Sequence, residues 1–205
     1  MRRHGSLFLI AFGAATLGCS DTGPGSVDLP EGFAGGSLLH GTTRGIGANT
    51  NVAVIPGDDA HNVTYRGTLG FDLTKIPSGA SVTQATLTVT QCNVGGNPFG
   101  ALGALVVDHI DLTAGLTDAA FSGETLESNI GTLSSTPAIG ARTLDLTAQV
   151  QADMAAHRRV TGYRLRFSIR DTNNDSVTDF VQIALSRDGV CTVQPEPKLQ
   201  VKYNR

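Results

Sequence analysis

The chain contains no tryptophan, and aromatic residues make up only 5% of its 205 residues. Sites that bind neutral glycans commonly present exposed aromatic rings as flat platforms. Two of the three tyrosines, Tyr163 and Tyr203, fall at inward-facing positions of predicted strands. The scarcity of rings therefore argues against a site that binds sugar by aromatic stacking.

Charged residues are also scarce, at 16%, and the formal net charge is −3. A nucleic-acid-binding domain usually carries a basic patch and a high pI, so this composition argues against DNA or RNA as a partner. The sequence has no nucleophile elbow, no HExxH metal motif and no glycine-rich phosphate loop. We therefore expect a protein that is not an enzyme.

The first 18 residues have the features of an export signal. Arg2 and Arg3 form a basic start, and an apolar run over residues 7–17 follows, too short to span a bilayer. Gly18 and Cys19 follow this run, as in a bacterial lipoprotein signal, where the cysteine becomes the lipidated first residue. The alternative is an ordinary secretory signal that leaves Cys19 free. We expect a lipid anchor at Cys19 and a location in the cell envelope or at the cell surface.

The segment after the cysteine is rich in Gly, Pro, Ser and Asp. This composition is typical of a flexible tether, which we place at residues 19–37. The rest of the chain shows neither an internal repeat nor a second shift in composition. We therefore expect one domain over residues 38–205.

Three cysteines in an exported chain leave an odd one to explain. If Cys19 carries the lipid, Cys92 and Cys191 remain as a pair in an oxidising compartment. We expect a disulfide between them, and the alternative is two separate buried thiols.

Residues 66–90, RGTLGFDLTKIPSGASVTQATLTVT, set the fold class. Apolar residues alternate with Thr, Gly and Asp in both halves, a pattern that predicts two half-buried strands. Pro77 and Gly79 between the halves favour a turn. Antiparallel strands of this kind have one face in a core and one in water. The expected fold is all-β, an antiparallel jelly-roll-like sandwich.

The rest of the domain continues this pattern. Residues 148–157 are the one predicted helix, with Val150 and Met154 on one face and Thr147 as N-cap. Residues 113–141 have little pattern and read as a long connection. The remaining predicted strands lie at residues 51–55, 102–112, 163–169, 180–185 and 199–203.

Four stretches also carry a family resemblance. The first is the pair of predicted strands at 66–90, and the second is LDLTAQVQ (144–151), which is similar to a D-V-T-x-x-V-Q segment. The others are YRLRF (163–167) and PKLQVKY (197–203). Together, over residues 49–203, they resemble the DNRLRE-type domains of bacterial surface proteins. The resemblance implies a jelly-roll β-sandwich. Because some relatives of those domains are described as carbohydrate-binding modules, including alginate binders, it also implies a carbohydrate ligand.

One predicted strand carries a row of arginines. In YRLRFSIR, Arg164, Arg166 and Arg170 lie at alternate positions on its outward face. Guanidinium groups bind carboxylates in a fork geometry, so the row could hold an acidic polysaccharide. The alternatives are a solvated face or ion pairs with acidic residues on a neighbouring strand.

The segment DTNNDSVTD resembles the first nine positions of a calcium-binding EF-hand loop. Its oxygen-bearing side chains are Asp171, Asn173, Asp175 and Asp179. Ser176 replaces the usual glycine, and the alternative is a plain hairpin connection rich in turn-forming residues. Ca²⁺ is therefore a possible cofactor. His109 lies in a V-D-H-I-D run like one in the resembling family, and we interpret it as structural.

Three functions are consistent with these features. The first is binding of an extracellular, acidic polysaccharide by a non-catalytic lipoprotein. The second is a structural or adhesive role with a surface protein as partner. The third is a polysaccharide-degrading enzyme, which would need a cleft with a perturbed acid or base.

Overall fold

The computed structural model describes residues 23–34, 37–38, 41–44, 49–50, 53–169, 171–185, 191 and 195–205. Cys19, Arg170 and the predicted export signal lie outside these ranges. The strands are β1 (Pro24–Pro30), β2 (Phe33–Ala34), β3 (Ser37–Leu38), β4 (Gly41–Arg44), β5 (Asn49–Thr50), β6 (Gly57–Asp58), β7 (Thr64–Asp72), β8 (Ser81–Gly95), β9 (Leu105–Ile110), β10 (Thr125–Ser134), β11 (Gly140–Asp145), β12 (Val160–Phe167), β13 (Asp179–Ile183) and β14 (Lys198–Asn204). The helices are α1 (Pro98–Ala101), α2 (Ala119–Ser122), α3 (Thr147–Ala155) and a 3-10 turn at Leu73–Lys75.

Twelve of these strands form one hydrogen-bonded sheet, whose main path runs β1-β14-β8-β13-β6-β7-β12-β9-β10. All of its pairings are antiparallel. The long strand β8 joins two halves, because its first part pairs with β14 and β11 and its last part with β13. Leu87 on β8 and Phe71 on β7 belong to one hydrophobic core. The predicted class, an all-β antiparallel sandwich with a short helix, is confirmed.

The two strands predicted at 66–90 form β7 and β8, and they do not pair with each other: β7 pairs with β12, β4 and β6, and β8 pairs with β14, β11 and β13. Leu69, Phe71 and Leu73 are buried in the core, as their alternation predicts. The connector begins with the 3-10 turn, where the Asp72 carboxylate accepts a hydrogen bond from the Thr74 amide. The core faces of both strands are therefore predicted correctly.

The other face of β7 is not in water, and here the prediction is wrong. Thr68 on that face is completely buried. The loop around α2 covers this side, because the carbonyl of Phe121 accepts hydrogen bonds from Arg66 on β7 and Arg164 on β12. The sequence pattern of one strand cannot predict that residues about 50 positions away in the chain will pack over its outer face.

The flexible tether predicted over residues 19–37 is also wrong for part of its length. Pro24–Pro30 forms β1, which pairs with the whole of β14 from Pro24 opposite Asn204 to Pro30 opposite Lys198. Leu29 is fully buried in the core. The domain therefore begins no later than Pro24, because burial of Leu29 and the ladder to β14 outweigh the poor strand propensity of a Gly/Pro-rich segment.

Residues 113–141, predicted as a connection, contain two strands and a helical turn. β10 pairs with β9, and β11 begins at Gly140 and pairs with β8. The β10 ladder has several register shifts, so its apolar residues do not alternate regularly. Those irregularities hid the strand from a period-two pattern.

Helix α3 matches the prediction for residues 148–157 closely, with Val150 buried and Met154 packed against the core. The predicted cap is wrong. Thr147 lies inside the helix, and the Asp145 carboxylate accepts hydrogen bonds from its amide and hydroxyl. These hydrogen bonds hold the pKa of Asp145 below its usual value. The Thr147 hydroxyl also accepts a hydrogen bond from the Ala85 amide, which ties α3 to β8.

The predicted strand at 163–169 forms β12, but Ile169, expected inward, is 68% exposed. β12 ends at Phe167, and Ile169 lies beyond the ladder. The predicted strand at 102–112 is β9, buried along its whole length between β12 and β10. On it, His109 is buried, with Nε2 2.9 Å from Asp153 and its ring stacked on Tyr163.

The cysteine pairing is confirmed. Cys92 and Cys191 form a disulfide with their Cα atoms 6.0 Å apart. It links β8 to the chain between β13 and β14. None of the helices in the described ranges is long and apolar enough to cross a membrane.

Candidate functional site

A groove opens at one end of the sandwich, where β6, β7, β8 and β13 meet. Gly57 on β6 pairs with Tyr65 on β7 and with Phe180 on β13, and Phe180 pairs in turn with Gly95 on β8. Directly opposed residues in a sheet point to the same face. The register therefore places a tyrosine and a phenylalanine on one face with a glycine between them.

The glycines make room for these rings. A Cβ on Gly95 would lie 2.1 Å from Cε1 of Phe180, so only glycine lets the ring rest against the β8 backbone. Gly57 has φ of +146°, and a Cβ there would lie 2.1 Å from the carbonyl oxygen of Asp179. Both positions would resist any larger residue.

The cavity between the rings measures about 480 Å³, within the range of small-ligand sites. We call it the Tyr65–Phe180 groove. Its lining residues are Thr42, Ala53, Ile55, Asp58, Asp59, Tyr65, Asn93, Thr178, Phe180 and Gln182.

Polar side chains in the groove are held in fixed positions. The Tyr65 hydroxyl donates to Oδ2 of Asp59 at 2.7 Å. Asn93 and Gln182 face each other across β8 and β13, with Asn93 Nδ2 3.4 Å from Gln182 Oε1. Burial raises the pKa of Asp59, but hydrogen bonds from Tyr65 and two backbone amides outweigh it and leave that pKa below its usual value.

This composition suits a ligand with hydroxyl groups. Amide side chains donate and accept, carboxylates accept, and aromatic faces pack against C–H groups. The charged groups among the lining residues are the carboxylates of Asp58 and Asp59. Because like charges repel, the groove favours a neutral ligand over an anionic one.

The arginine row does not form an exposed surface. Arg164 is only 5% exposed, and it shares the buried carboxylate of Asp108 with Arg166. Arg164 Nη2 lies 3.1 Å and Arg166 Nε 2.8 Å from Asp108 Oδ2. For these two residues, the alternative interpretation, ion pairs with a neighbouring strand, is therefore correct.

The register explains this pairing. Asp108 on β9 stands directly opposite Arg164 on β12, and the loop around α2 covers both. Burial alone would raise the pKa of Asp108. The hydrogen bonds from Arg166 and the Asn129 amide outweigh this effect, so the pKa of Asp108 is below its usual value. Desolvation lowers the pKa of Arg164 in the same cluster.

Three of the four proposed calcium ligands, Asn173, Asp175 and Asp179, line one pocket, and Asp171 is not among its lining residues. Asp171 pairs with Arg66 at 2.7 Å, whereas Asp175 accepts hydrogen bonds from Val177 and Asn173 within its own turn. The Asp179 carboxylate accepts from the Asn97 amide. In the part of the chain that the structure describes, no group of three or more His, Cys, Asp or Glu could hold a metal. The hydrogen bonds within the loop agree with the turn interpretation, and calcium binding stays a prediction.

The sequence patterns did not predict the groove. The expectation about aromatic rings was based on Tyr163 and Tyr203, which fall at inward-facing positions. Tyr65, the third tyrosine, lies in the groove. A usable signal exists in β13, where the polar Gln182 lies between the apolar Val181 and Ile183, although all three are buried. The partner strands of that polar face, however, can be read only from the register.

No protein-family model matches the chain, and no curated protein is significantly similar to it. The resemblance to DNRLRE-type domains therefore stays a prediction.

Proposed function

We propose that this protein is a non-catalytic, lipid-anchored envelope protein that binds a polysaccharide in the Tyr65–Phe180 groove. One observation carries the proposal: the strand register brings two aromatic rings and two facing amides, Asn93 and Gln182, around one cavity. A sugar unit needs both an apolar platform and paired hydrogen-bonding groups, and this cavity supplies them.

The polysaccharide we propose is neutral. The expectation of an acidic ligand depended on Arg164 and Arg166, whose guanidinium groups bind Asp108. The charged groups of the groove are Asp58 and Asp59. A uronic acid chain would meet a carboxylate there rather than a guanidinium, which disfavours its binding.

Anchoring follows from the N-terminal pattern. We propose that the chain is cleaved before Cys19 and lipidated on that residue, and that the domain functions outside the cytoplasm. Several acyl chains on one cysteine give stable membrane attachment, whereas a single chain gives marginal binding. Mass spectrometry of the membrane fraction should detect an acylated N-terminal peptide that begins at Cys19.

The first test is a glycan array probed with residues 20–205. We expect binding to a neutral polysaccharide, unchanged by EDTA because the groove binds its ligand through aromatic rings and amides. We also expect no release of reducing ends, which separates a binding protein from an enzyme. Failure to bind any glycan would leave the structural or adhesive role with a protein partner as the better interpretation.

The second test locates the site with matched substitutions on one strand. Asn93→Ala removes a groove amide of β8, and we expect about tenfold weaker binding, the equivalent of one hydrogen bond of about 1.4 kcal/mol. Thr88→Ala lies outside the groove on the same strand and should bind like the wild type. Equal affinities for the two variants would show that the ligand binds elsewhere.

Phe180→Leu tests the ring itself. The change keeps an apolar side chain over Gly95 but removes the aromatic face. We expect weaker glycan binding with a nearly unchanged unfolding midpoint. Binding that persists here and is lost in Arg166→Gln would instead restore the arginine site.

A further inference from the structure

The residues of β8 that face the core change from odd to even positions partway along the strand, and the change occurs at Cys92. Before it, the odd-numbered residues Ala85, Leu87 and Val89 are buried in the core. After it, the even-numbered Val94 packs against the same core. Successive side chains of a regular strand point to opposite faces, so a regular β8 would keep its odd-numbered residues in the core from there onward.

The strand register identifies this change as a β-bulge. On β13, Gln182 pairs with Asn93 of β8. The next residue, Ile183, pairs with Gln91, so one step along β13 corresponds to two steps along β8. Cys92 is therefore the extra residue of the bulge. Bulges of this kind bend a strand and redirect the side chains beside them, and they are common next to functional sites.

The bulge supplies the part of the Tyr65–Phe180 groove that comes from β8. Asn93 and Gly95 occupy odd-numbered positions, and without the bulge they would lie on the core face of the strand. With the bulge, Asn93 faces Gln182 across the groove, and Gly95 leaves room for the ring of Phe180. A slip of one residue that removed the bulge would turn both positions toward the core and take the Asn93 amide out of the cavity.

A covalent bond holds the extra residue. Cys92 forms the disulfide with Cys191, which is only 3% exposed, and Sγ of Cys92 lies 3.4 Å from the carbonyl oxygen of Gln182. Cys191 belongs to the chain between β13 and β14, so the bond ties the bulge to a segment outside the β8–β13 ladder. A slip of β8 along β13 would have to carry Cys92 away from this fixed partner.

We propose that the Cys92–Cys191 disulfide positions the ligand-binding face of β8, because it holds the bulge that directs Asn93 into the groove. Affinity for the ligand then depends on the disulfide separately from the contribution of the disulfide to global stability. The inference rests on the proposed function for its ligand, whereas the link between the disulfide and the bulge stands without it. Cys92 and Cys191 are positioning residues, since neither is among the residues that line the groove.

The test compares Cys92→Ala/Cys191→Ala with Leu29→Ala on an array of neutral glycans, at a temperature where both variants are folded. Leu29 is buried in the core and does not line the groove, so its truncation lowers stability without altering the site. We expect the disulfide-free variant to bind about tenfold more weakly, as Asn93→Ala does, and Leu29→Ala to bind like the wild type. Wild-type affinity in the disulfide-free variant would overturn the proposal.

Combining the changes shows whether the disulfide acts through Asn93. Since Asn93→Ala removes the side chain that the disulfide positions, adding it to the disulfide-free variant should weaken binding little further. A second loss of about tenfold would mean that the two changes act independently, contrary to the proposal.

Reduction of the wild type gives the same comparison if the cysteine variant does not fold. A dithiol reductant supplies two electrons and two protons, leaves Cys92 and Cys191 as thiols, and is itself oxidised to a disulfide. Affinity should fall by the same factor and return after reoxidation. An unchanged affinity in the fully reduced protein would count against the positioning role.

An NMR measurement tests the positioning without any glycan. The side-chain amide signals of Asn93, identified by their absence in Asn93→Ala, should shift when the disulfide is removed and stay in place in Leu29→Ala. Unshifted signals in the reduced protein would overturn the inference. A wild type that binds no glycan on the array but shows the shift would refute the proposed function alone, so the two proposals can fail separately.

Discussion

At the scale of single residues, the buried charges are the most consequential feature. Asp108 has no solvent exposure and accepts hydrogen bonds from Arg164, Arg166 and the Asn129 amide. A buried ion pair is costly to assemble, but removing one partner is costlier still because the others stay buried without compensation. The cluster therefore fixes how the α2 loop sits on β9 and β12.

We predict that Asp108→Asn lowers the free energy of unfolding by about 3–5 kcal/mol, because two guanidinium groups lose their carboxylate. Urea denaturation monitored by circular dichroism measures this. Asp28→Asn is the control: Asp28 pairs with Lys198 at the surface, and its loss should cost about 1 kcal/mol or less. Similar costs for the two variants would mean that the Asp108 cluster is not buried as described.

The same carboxylate gives stability a dependence on pH. Because the folded-state pKa of Asp108 is lowered, its contribution is complete above the unfolded pKa of about 3.9 and is lost as pH falls through the folded value. The pKa is also lowered for three other carboxyl groups, so their contributions to stability are lost as pH falls in the same way: Asp59, Asp111 and Asp145. We predict that denaturant midpoints fall between about pH 5 and pH 3, and that Asp108→Asn makes this fall shallower. An equally steep fall in the variant would contradict the assignment.

At the scale of elements, the question is whether residues 24–30 belong to the folded domain, as strand β1, or to a flexible tether. If β1 is an integral strand, Leu29→Ala should cost about 2–5 kcal/mol, as core truncations do. Ser26→Ala, at an exposed position of the same strand, should change stability by less than about 0.5 kcal/mol. Thermal and urea unfolding of both variants check this, and a wild-type midpoint for Leu29→Ala would return these residues to the tether.

Helix α3 offers a second test at this scale. Asp145→Ala removes the carboxylate that accepts hydrogen bonds from the Thr147 amide and hydroxyl, and we predict a loss of about 1 kcal/mol, typical of a lost hydrogen bond. Asp145→Asn should recover part of it, because an amide oxygen still accepts a hydrogen bond. No difference between the two variants would show that the carboxylate does not stabilise the helix.

At the scale of the whole molecule, the disulfide closes a long covalent loop, because its cysteines lie 99 positions apart in the chain. The chain-entropy model gives about 4–5 kcal/mol for a loop of that length, less any strain in the folded state. We predict that the variant Cys92→Ala/Cys191→Ala unfolds at a markedly lower temperature. The wild type in reducing agent should fall to the same midpoint, whereas the variant should not respond to reductant.

The local sequence determined the strands whose apolar residues alternate. Leu69, Phe71 and Leu73 alternate with small polar residues, and burial of one face of a strand is a property of that pattern itself. Val150 and Met154 likewise place α3, because residues four apart share a helix face. The cysteine pairing was predicted from the number of cysteines together with the predicted export signal.

Tertiary structure alone decided what lies opposite each strand. The alternation of side chains along β12 predicts that Arg164 is exposed, but Asp108 on β9 and the α2 loop bury it. The groove depends on Tyr65, Gly57 and Phe180 meeting across three strands, and residues 24–30 become a strand only because β14 pairs with them. The alternation of side chains along a strand is local, whereas the register between strands is set by contacts far apart in the chain. For that reason the sequence determined the class of the fold, and only the assembled sandwich decided the site.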